Sequence, residues 1–218
     1  MLTFDEGTHQ YWWDERRVVN VTLVLDRLLH IYDGVPAETL ERARQQGIAI
    51  HRTIEWHLKS TLDTCPAWLL PYIAAWQQFE RDSAFQLESS EQRLYHRLFD
   101  YAGTADLFGW MRVGRRAQHK HVCIDIKRSF LGGASIGLQT AAYAGAYNQD
   151  MQPDDFEKRI EQRFAIRFLP GKSPPYQLLE LNDRDDFLNW TSLLRSYRWM
   201  EKHGYPNSID TSGNGQRG

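Results

Sequence analysis

Hydrophobic and polar positions change their period several times along the chain, and each change marks a change of element. Phe4 to Val21 mixes aromatic and β-branched residues with turn formers such as Asp14-Glu15, which predicts a short hairpin. From Thr22, Leu23, Leu25, Leu28 and Leu29 predict a short helix that stops near Asp33-Gly34, with Pro36 placed to start the next. In that longer helix Gly47, Ile50, His51, Ile54 and Leu58 recur at three- and four-residue spacing and share a face. Pro66 to about Ser83 repeats the pattern, pointing Leu69, Ile73, Trp76 and either Phe79 or Phe85 at the core.

The pattern then becomes extended. Leu87 to Leu98, Tyr101 to Val113 and His121 to Lys127 are predicted strands, the last two separated by the Gly114-Arg115-Arg116 turn. An alanine-rich helix follows from about Ser135 to Asn148, then strands at Gln162–Leu169 and Tyr176–Leu181. A closing amphipathic helix runs from Asp183 to about Lys202, capped by Asn182 or Asp183. The predicted fold is α/β, a central mixed sheet flanked by helices, with a helical amino-terminal elaboration. The chain reads as one domain: residues 1–85 the elaboration, 86–182 sheet and helix, 183–203 the last helix, and 204–218 a polar tail with little to bury.

Composition narrows the function classes. A chain of 218 residues that is 42% hydrophobic can bury a substantial core, which excludes disorder and fibrous repeats. No apolar run approaches the ~20 residues of a membrane span. Met1 to Glu6 carries acids where a secretory leader needs basic residues, so the protein is expected to stay in the cytoplasm of the cell that makes it. Cys65 and Cys123 lack metal or redox spacing and read as reduced thiols. The net charge of −2 argues against a general polyanion-coating protein. Nucleic-acid contact would then be local, and Arg112, Arg115, Arg116, His119, Lys120 and His121 form either such a contact or a solvated hairpin.

Candidate chemistry concentrates in three segments. Alternation in Val122-Cys123-Ile124-Asp125-Ile126-Lys127 puts Val122, Ile124 and Ile126 on one face of a strand and Cys123, Asp125 and Lys127 on the other. An Asp-x-Lys triplet alone arises by chance in about one chain of this length in two. Asp106, in Gly103-Thr104-Ala105-Asp106, changes the odds, because antiparallel pairing across the Gly114 turn brings it towards Asp125. Two adjacent carboxylates repel unless a cation lies between them. Gln139 and Tyr143, one helical turn apart, emerge together.

Gly103-Thr104-Ala105-Asp106, Ile124-Asp125-Ile126-Lys127 and Gln139-x-x-x-Tyr143 resemble the motifs of the PD-(D/E)XK nuclease superfamily in its RecB-like branch, with Ala105 standing where the family name has proline. Gly47 to His51 resembles that branch's helical histidine motif, and Tyr11 to Leu25 the lead-in of phage-borne members. The resemblance implies a restriction-endonuclease-like core and Mg²⁺- or Mn²⁺-dependent hydrolysis of DNA phosphodiesters, as an exonuclease in recombination, repair or phage DNA processing. It implies Asp106, Asp125, His51, Glu91 and the Ile126 carbonyl as metal ligands, with Glu88 competing with Glu91 because strand register is open. Lys127 would position or deprotonate the attacking water, supported by Gln139 and Tyr143. Arg115, Arg116, Lys120, Gln139 and Tyr143 would touch DNA, and a single-strand annealing protein is the implied partner. Rival readings are a non-catalytic DNA-binding module on the same fold, a glycosidase, which would need no metal, and cleavage of RNA.

Overall fold

The computed structural model describes residues 1–130, 133–152, 155 and 158–205. The predicted tail lies outside the described residues from 206 onward. The chain order is β1 (Leu2–Asp5), β2 (Gln10–Trp13), β3 (Arg16–Asn20), α1 (Val21–Leu29), α2 (Ala37–Leu58), α3 (Leu70–Ser83), β4 (Gln86–His96), β5 (Tyr101–Val113), β6 (Gln118–Ile126), α4 (Gly133–Asn148), β7 (Gln162–Phe168), β8 (Tyr176–Glu180) and α5 (Asp186–Lys202).

The strands form one mixed sheet of eight, with parallel pairing at β3–β5 and β6–β7 and antiparallel pairing elsewhere. The predicted hairpin before Val21 is in fact three strands, and the third docks parallel onto β5 through Val19↔Tyr101 and Asn20↔Ala102. Parallel partners distant in sequence leave no local turn signal, so the hairpin pattern showed only the near half of this pairing. No described helix is long and apolar enough to cross a membrane.

Helices cover both faces. Ile50 and Ile54 of α2 and Ala75, Trp76 and Phe79 of α3 pack on Leu107, Met111, Val122, Ile124 and Ile126. On the other face α1, α4 and α5 enclose Tyr101, Ala105, Phe108, Cys123, Tyr143 and Trp190. Val122, Ile124 and Ile126 thus share one side and Cys123 the other, as the alternation predicts. Both cysteines are free thiols, and burial pushes that of Cys123 well above its usual range.

α4 is buried on nearly every side, between the sheet and α5. Its small residues serve both neighbours: a Cβ at Gly145 would lie 2.2 Å from the Phe187 ring of α5, whereas Gly103 of β5 makes room for α4. The buried Arg163 guanidinium donates to the Gly137 carbonyl (2.6 Å) and Asp186 (3.0 Å), tying β7, α4 and α5 together. The cap of α5 differs from expectation. Asn182 accepts from the Arg163 amide and Asp183 from the Asp185 amide, and the helix starts at Asp186 without a side-chain cap. α1 does carry one, Asn20 accepting from the Leu23 amide at 2.7 Å.

Gly47 in mid-α2 has no protein atom within 4 Å of where a Cβ would stand, so no strand exploits the glycine for close approach. Gly47→Ala is expected to raise stability by about 0.5–1 kcal/mol through helix propensity, read as an upward shift in Tm.

Candidate active site

One edge of β5 explains where the site lies. β4 pairs with β5 from Tyr101 to Trp110 and so occupies one edge. β3 at Tyr101 and Ala102 and β6 at Leu107 to Val113 must therefore share the other. Between them Gly103 to Asp106 faces the diverging carboxyl-terminal ends of β3 and β6. In that gap the Asp106 carboxylate takes over the role of the ladder, accepting the Ile126 amide at 2.7 Å, while the Lys127 amide stays bonded to Ile166 of β7 at 2.8 Å.

His51, from the core-facing side of α2, reaches the same gap. Its Nε2 lies 2.7 Å from the Ile126 carbonyl, and its Nδ1 lies 3.5 Å from Asp106 Oδ2. A carbonyl oxygen only accepts, so Nε2 carries the hydrogen. Nδ1 is then the ring atom that faces the Asp106 carboxylate, a contact that either a proton on Nδ1 or a metal ion between the two would satisfy. Glu91 completes the group: one ligand atom each from His51, Glu91 and Asp106 lie within 4.8 Å of one another.

β4 settles which glutamate is involved. Ser90↔Leu107 and Gln92↔Ala105 set Glu91 across from Asp106, in a left-handed conformation (φ 49°) that costs a non-glycine residue about 1–3 kcal/mol and recurs where function requires it. Glu88 instead lies 2.9 Å from His121 and accepts from the Tyr147 hydroxyl. A register shift between Leu87 and Ser89 separates the two acids, and no local pattern encodes it.

Asp125 and Lys127 point to the α4 side. Lys127 Nζ lies 2.8 Å from Asp125 Oδ2 and donates to Gln139 Oε1 at 3.2 Å; Gln139 Nε2 donates to Asp125 Oδ1 and to the Tyr143 hydroxyl, both at 3.1 Å. Gln139 thus fixes acid and ammonium together, and Tyr143 holds Gln139. Burial, opposed by Lys127 and assisted by Asp106, raises the Asp125 carboxyl to about 6. Burial pulls Lys127 down, but Asp125 and Asp106 outweigh it and keep the amine charged. Burial, then repulsion from Asp106, raises Glu91 to about 8. Carboxyls held up chiefly by burial, inside a cluster of polar groups, mark a candidate functional site.

Seven predicted residues are therefore brought together: His51, Glu91, Asp106, Asp125, Lys127, Gln139 and Tyr143. The Ile126 carbonyl joins them, with one lone pair committed to His51. Arg115 and Arg116 are not brought in. They lie at the β5–β6 turn, roughly 20 Å further along the strand at ~3.3 Å per residue, and Lys120, on the same arm, lies 3.8 Å from Glu161. His121 of that basic cluster is a buried residue stacked on Trp110 at 4.6 Å. Glu55, one turn on from His51, accepts from Lys59 at 2.5 Å, and its charge bears on Glu91.

Three contributors escaped sequence reasoning. Asp26 of α1 and Tyr32 both act electrostatically on Lys127. Tyr11 of β2 shares a hydrogen bond with Thr104 Oγ1 at 2.7 Å, two residues from Asp106. Only the parallel β3–β5 pairing brings the amino-terminal segment here, so no spacing in the chain signals it.

Gly103 is a tight structural requirement beside the site. A Cβ there would stand 2.6 Å from Tyr143 Cε1. Gly103→Ala is expected to displace the buried Tyr143 ring, cost about 1–3 kcal/mol and loosen Gln139; chemical denaturation and the catalytic rate should fall together.

No family model matches the chain, and no curated protein does. Among solved structures the chain is similar to the crystal structure of SSO0001, with a TM-score of 0.32 and 14% identity over 82% of this chain and 84% of that one. A likeness at that level carries no argument.

Proposed function

We propose that this chain is a divalent-metal-dependent deoxyribonuclease on a restriction-endonuclease-like core, acting as an exonuclease in recombination, repair or phage DNA processing. The observation that carries the proposal is the convergence of ligand atoms from His51, Glu91 and Asp106, with the Asp125–Lys127 pair adjoining. Oxygen-rich donors with one imidazole fit Mg²⁺ or Mn²⁺ better than a soft thiophilic metal. Glu91, Asp106 and His51 would hold the ion, whereas Asp125, expected as a further ligand, has its oxygens turned to Lys127 and Gln139 and lies outside that group; such an ion would supply Lewis-acid polarisation of a phosphate oxygen and acidify a water.

The chain's own residues divide the remaining work. Asp106 anchors the end of β6 through the Ile126 amide and so fixes the position of Asp125 and Lys127 relative to β5. Lys127, held charged by Asp125 and aimed by Gln139, positions the attacking water and offsets negative charge developing on phosphorus. Tyr143, its phenol kept neutral by burial, buttresses Gln139.

The test uses end-labelled linear and covalently closed DNA with Mg²⁺, Mn²⁺ or EDTA. Digestion confined to free ends and abolished by EDTA is expected. Digestion undiminished in EDTA sinks the metal reading, and equal attack on closed circles sinks the exonuclease reading.

A further inference from the structure

A cavity of about 210 Å³ opens beside His51, Ile126 and Lys127, on the side of the sheet covered by α2 and α3. Its other walls are Ile50 of α2, Tyr72 of α3 and Phe168 at the end of β7, with Arg128 at the rim. We propose that this cavity receives one nucleobase of the DNA strand being cut, the base next to the scissile phosphate, stacked against Tyr72 with Arg128 over the neighbouring backbone. The proposal rests on the nuclease reading and adds a specificity-determining pocket to it.

Four features favour a nucleobase. Size comes first: the cavity falls below the ~300 Å³ at which pockets begin to take drug-sized ligands, which leaves room for a single planar ring system. Its lining is more polar than apolar but includes two aromatic rings, Tyr72 and Phe168, and base-on-aromatic contact is tolerant of sequence because every base has a π-face. The walls are also pre-set. Phe168 is buried with its ring 6.3 Å from Trp76, and Tyr72 sits edge-on to Trp68 at 6.3 Å while remaining partly exposed. Finally, Arg128 is immobilised, donating to Gln46 Oε1 at 2.5 Å from a residue that stays exposed. A guanidinium held at the mouth of the slot suits the phosphate that must follow a buried base. Because His51 lines both the cavity and the candidate active site, and Lys127 borders the cavity while its ammonium turns to Asp125, a base in the slot and a phosphate in the gap belong to one nucleotide step.

The decisive experiment compares oligonucleotides carrying a normal terminal nucleotide with ones carrying an abasic tetrahydrofuran residue at each end, in Mg²⁺. Wild-type protein is expected to discriminate by about ten-fold or more in kcat/KM, the effect of losing one stacked base. Tyr72→Leu, which keeps an apolar wall but cannot stack, should reduce that ratio to near unity, with circular dichroism and Tm checking its fold. In parallel, terminal 2-aminopurine should lose fluorescence on binding to Lys127→Ala protein, and the additional Tyr72→Leu change should restore it. Equal cleavage of both substrates by wild type, or full discrimination by Tyr72→Leu, overturns the pocket. Quenching without cleavage by wild type would leave the pocket standing and remove the nuclease reading; neither quenching nor cleavage removes both.

Discussion

Asp125→Asn is expected to cut labelled linear DNA at least about 10³-fold more slowly than wild type, a loss typical of removing a preorganised charge from a reacting centre, with little change in Tm. Stability should survive because burial already disfavours the charged carboxyl, which sits at about 6 instead of 3.8. A neutral amide of the same shape can still meet Gln139 and avoids the burial penalty, although Lys127 loses its counter-charge. Lys127→Ala should fail comparably in cleavage for a different reason: the ammonium that offsets charge in the transition state is gone, while the His51–Asp106–Glu91 group is left in place. The pair of variants, assayed for cleavage and for thermal unfolding, separates chemistry from folding. Near-wild-type rates in both would remove this centre from catalysis.

The second large effect is a coupling between pH, metal and stability that passes through Glu91. Its carboxyl is held at about 8 against an ordinary 4.5, chiefly by burial and then by the charges of Asp106 and Glu55. An acid whose folded value exceeds its unfolded value contributes stability that is present at low pH and lost as pH rises through that interval. For Glu91 the window is about 4.5 to 8, and for Asp125 about 3.8 to 6. The Tm of the metal-free protein should therefore decline from about pH 5 to pH 8.

A bound divalent ion reverses the sign by favouring the ionised carboxylates. At a hundred-fold excess over Kd, Mn²⁺ should add about 2.7 kcal/mol, or roughly 5–10 °C in Tm for a chain of this size, and the gain should be larger near pH 8 than near pH 5.5. Glu91→Gln should flatten the metal-free decline and lose most of the Mn²⁺ response. A Tm that rises with pH in the metal-free wild type, or a metal response untouched by Glu91→Gln, contradicts this coupling.

Much of the site was legible because it rests on local periodicities. Strand alternation alone separated Asp125 and Lys127 from Ile124 and Ile126, and helical spacing alone put Gln139 and Tyr143 on one face; the structure joins all four polar groups through hydrogen bonds and one ion pair. What stayed hidden depends on pairing between distant segments. The register shift after Leu87 decides that Glu91 meets Asp106 and Glu88 meets His121. The parallel docking of β3 on β5 brings Tyr11 to Thr104, and the α1 that follows carries Asp26 towards Lys127. The basic run from Arg112 to His121 lies apart from the site for the converse reason. Residues near Asp106 in sequence are carried away from it at ~3.3 Å per residue by the extended strand, and the turn they form lies at the far end of the hairpin.

One measurement bears most directly on the proposed ion at the centre of this arrangement: titration of the protein with Mn²⁺ near pH 8, with free ion followed by electron paramagnetic resonance. Asp106, Glu91 and His51 gathered around the end of β6 predict tight binding that is lost in Asp106→Asn and retained in Lys127→Ala. Absence of binding in the wild type, or equal binding by Asp106→Asn, would contradict it.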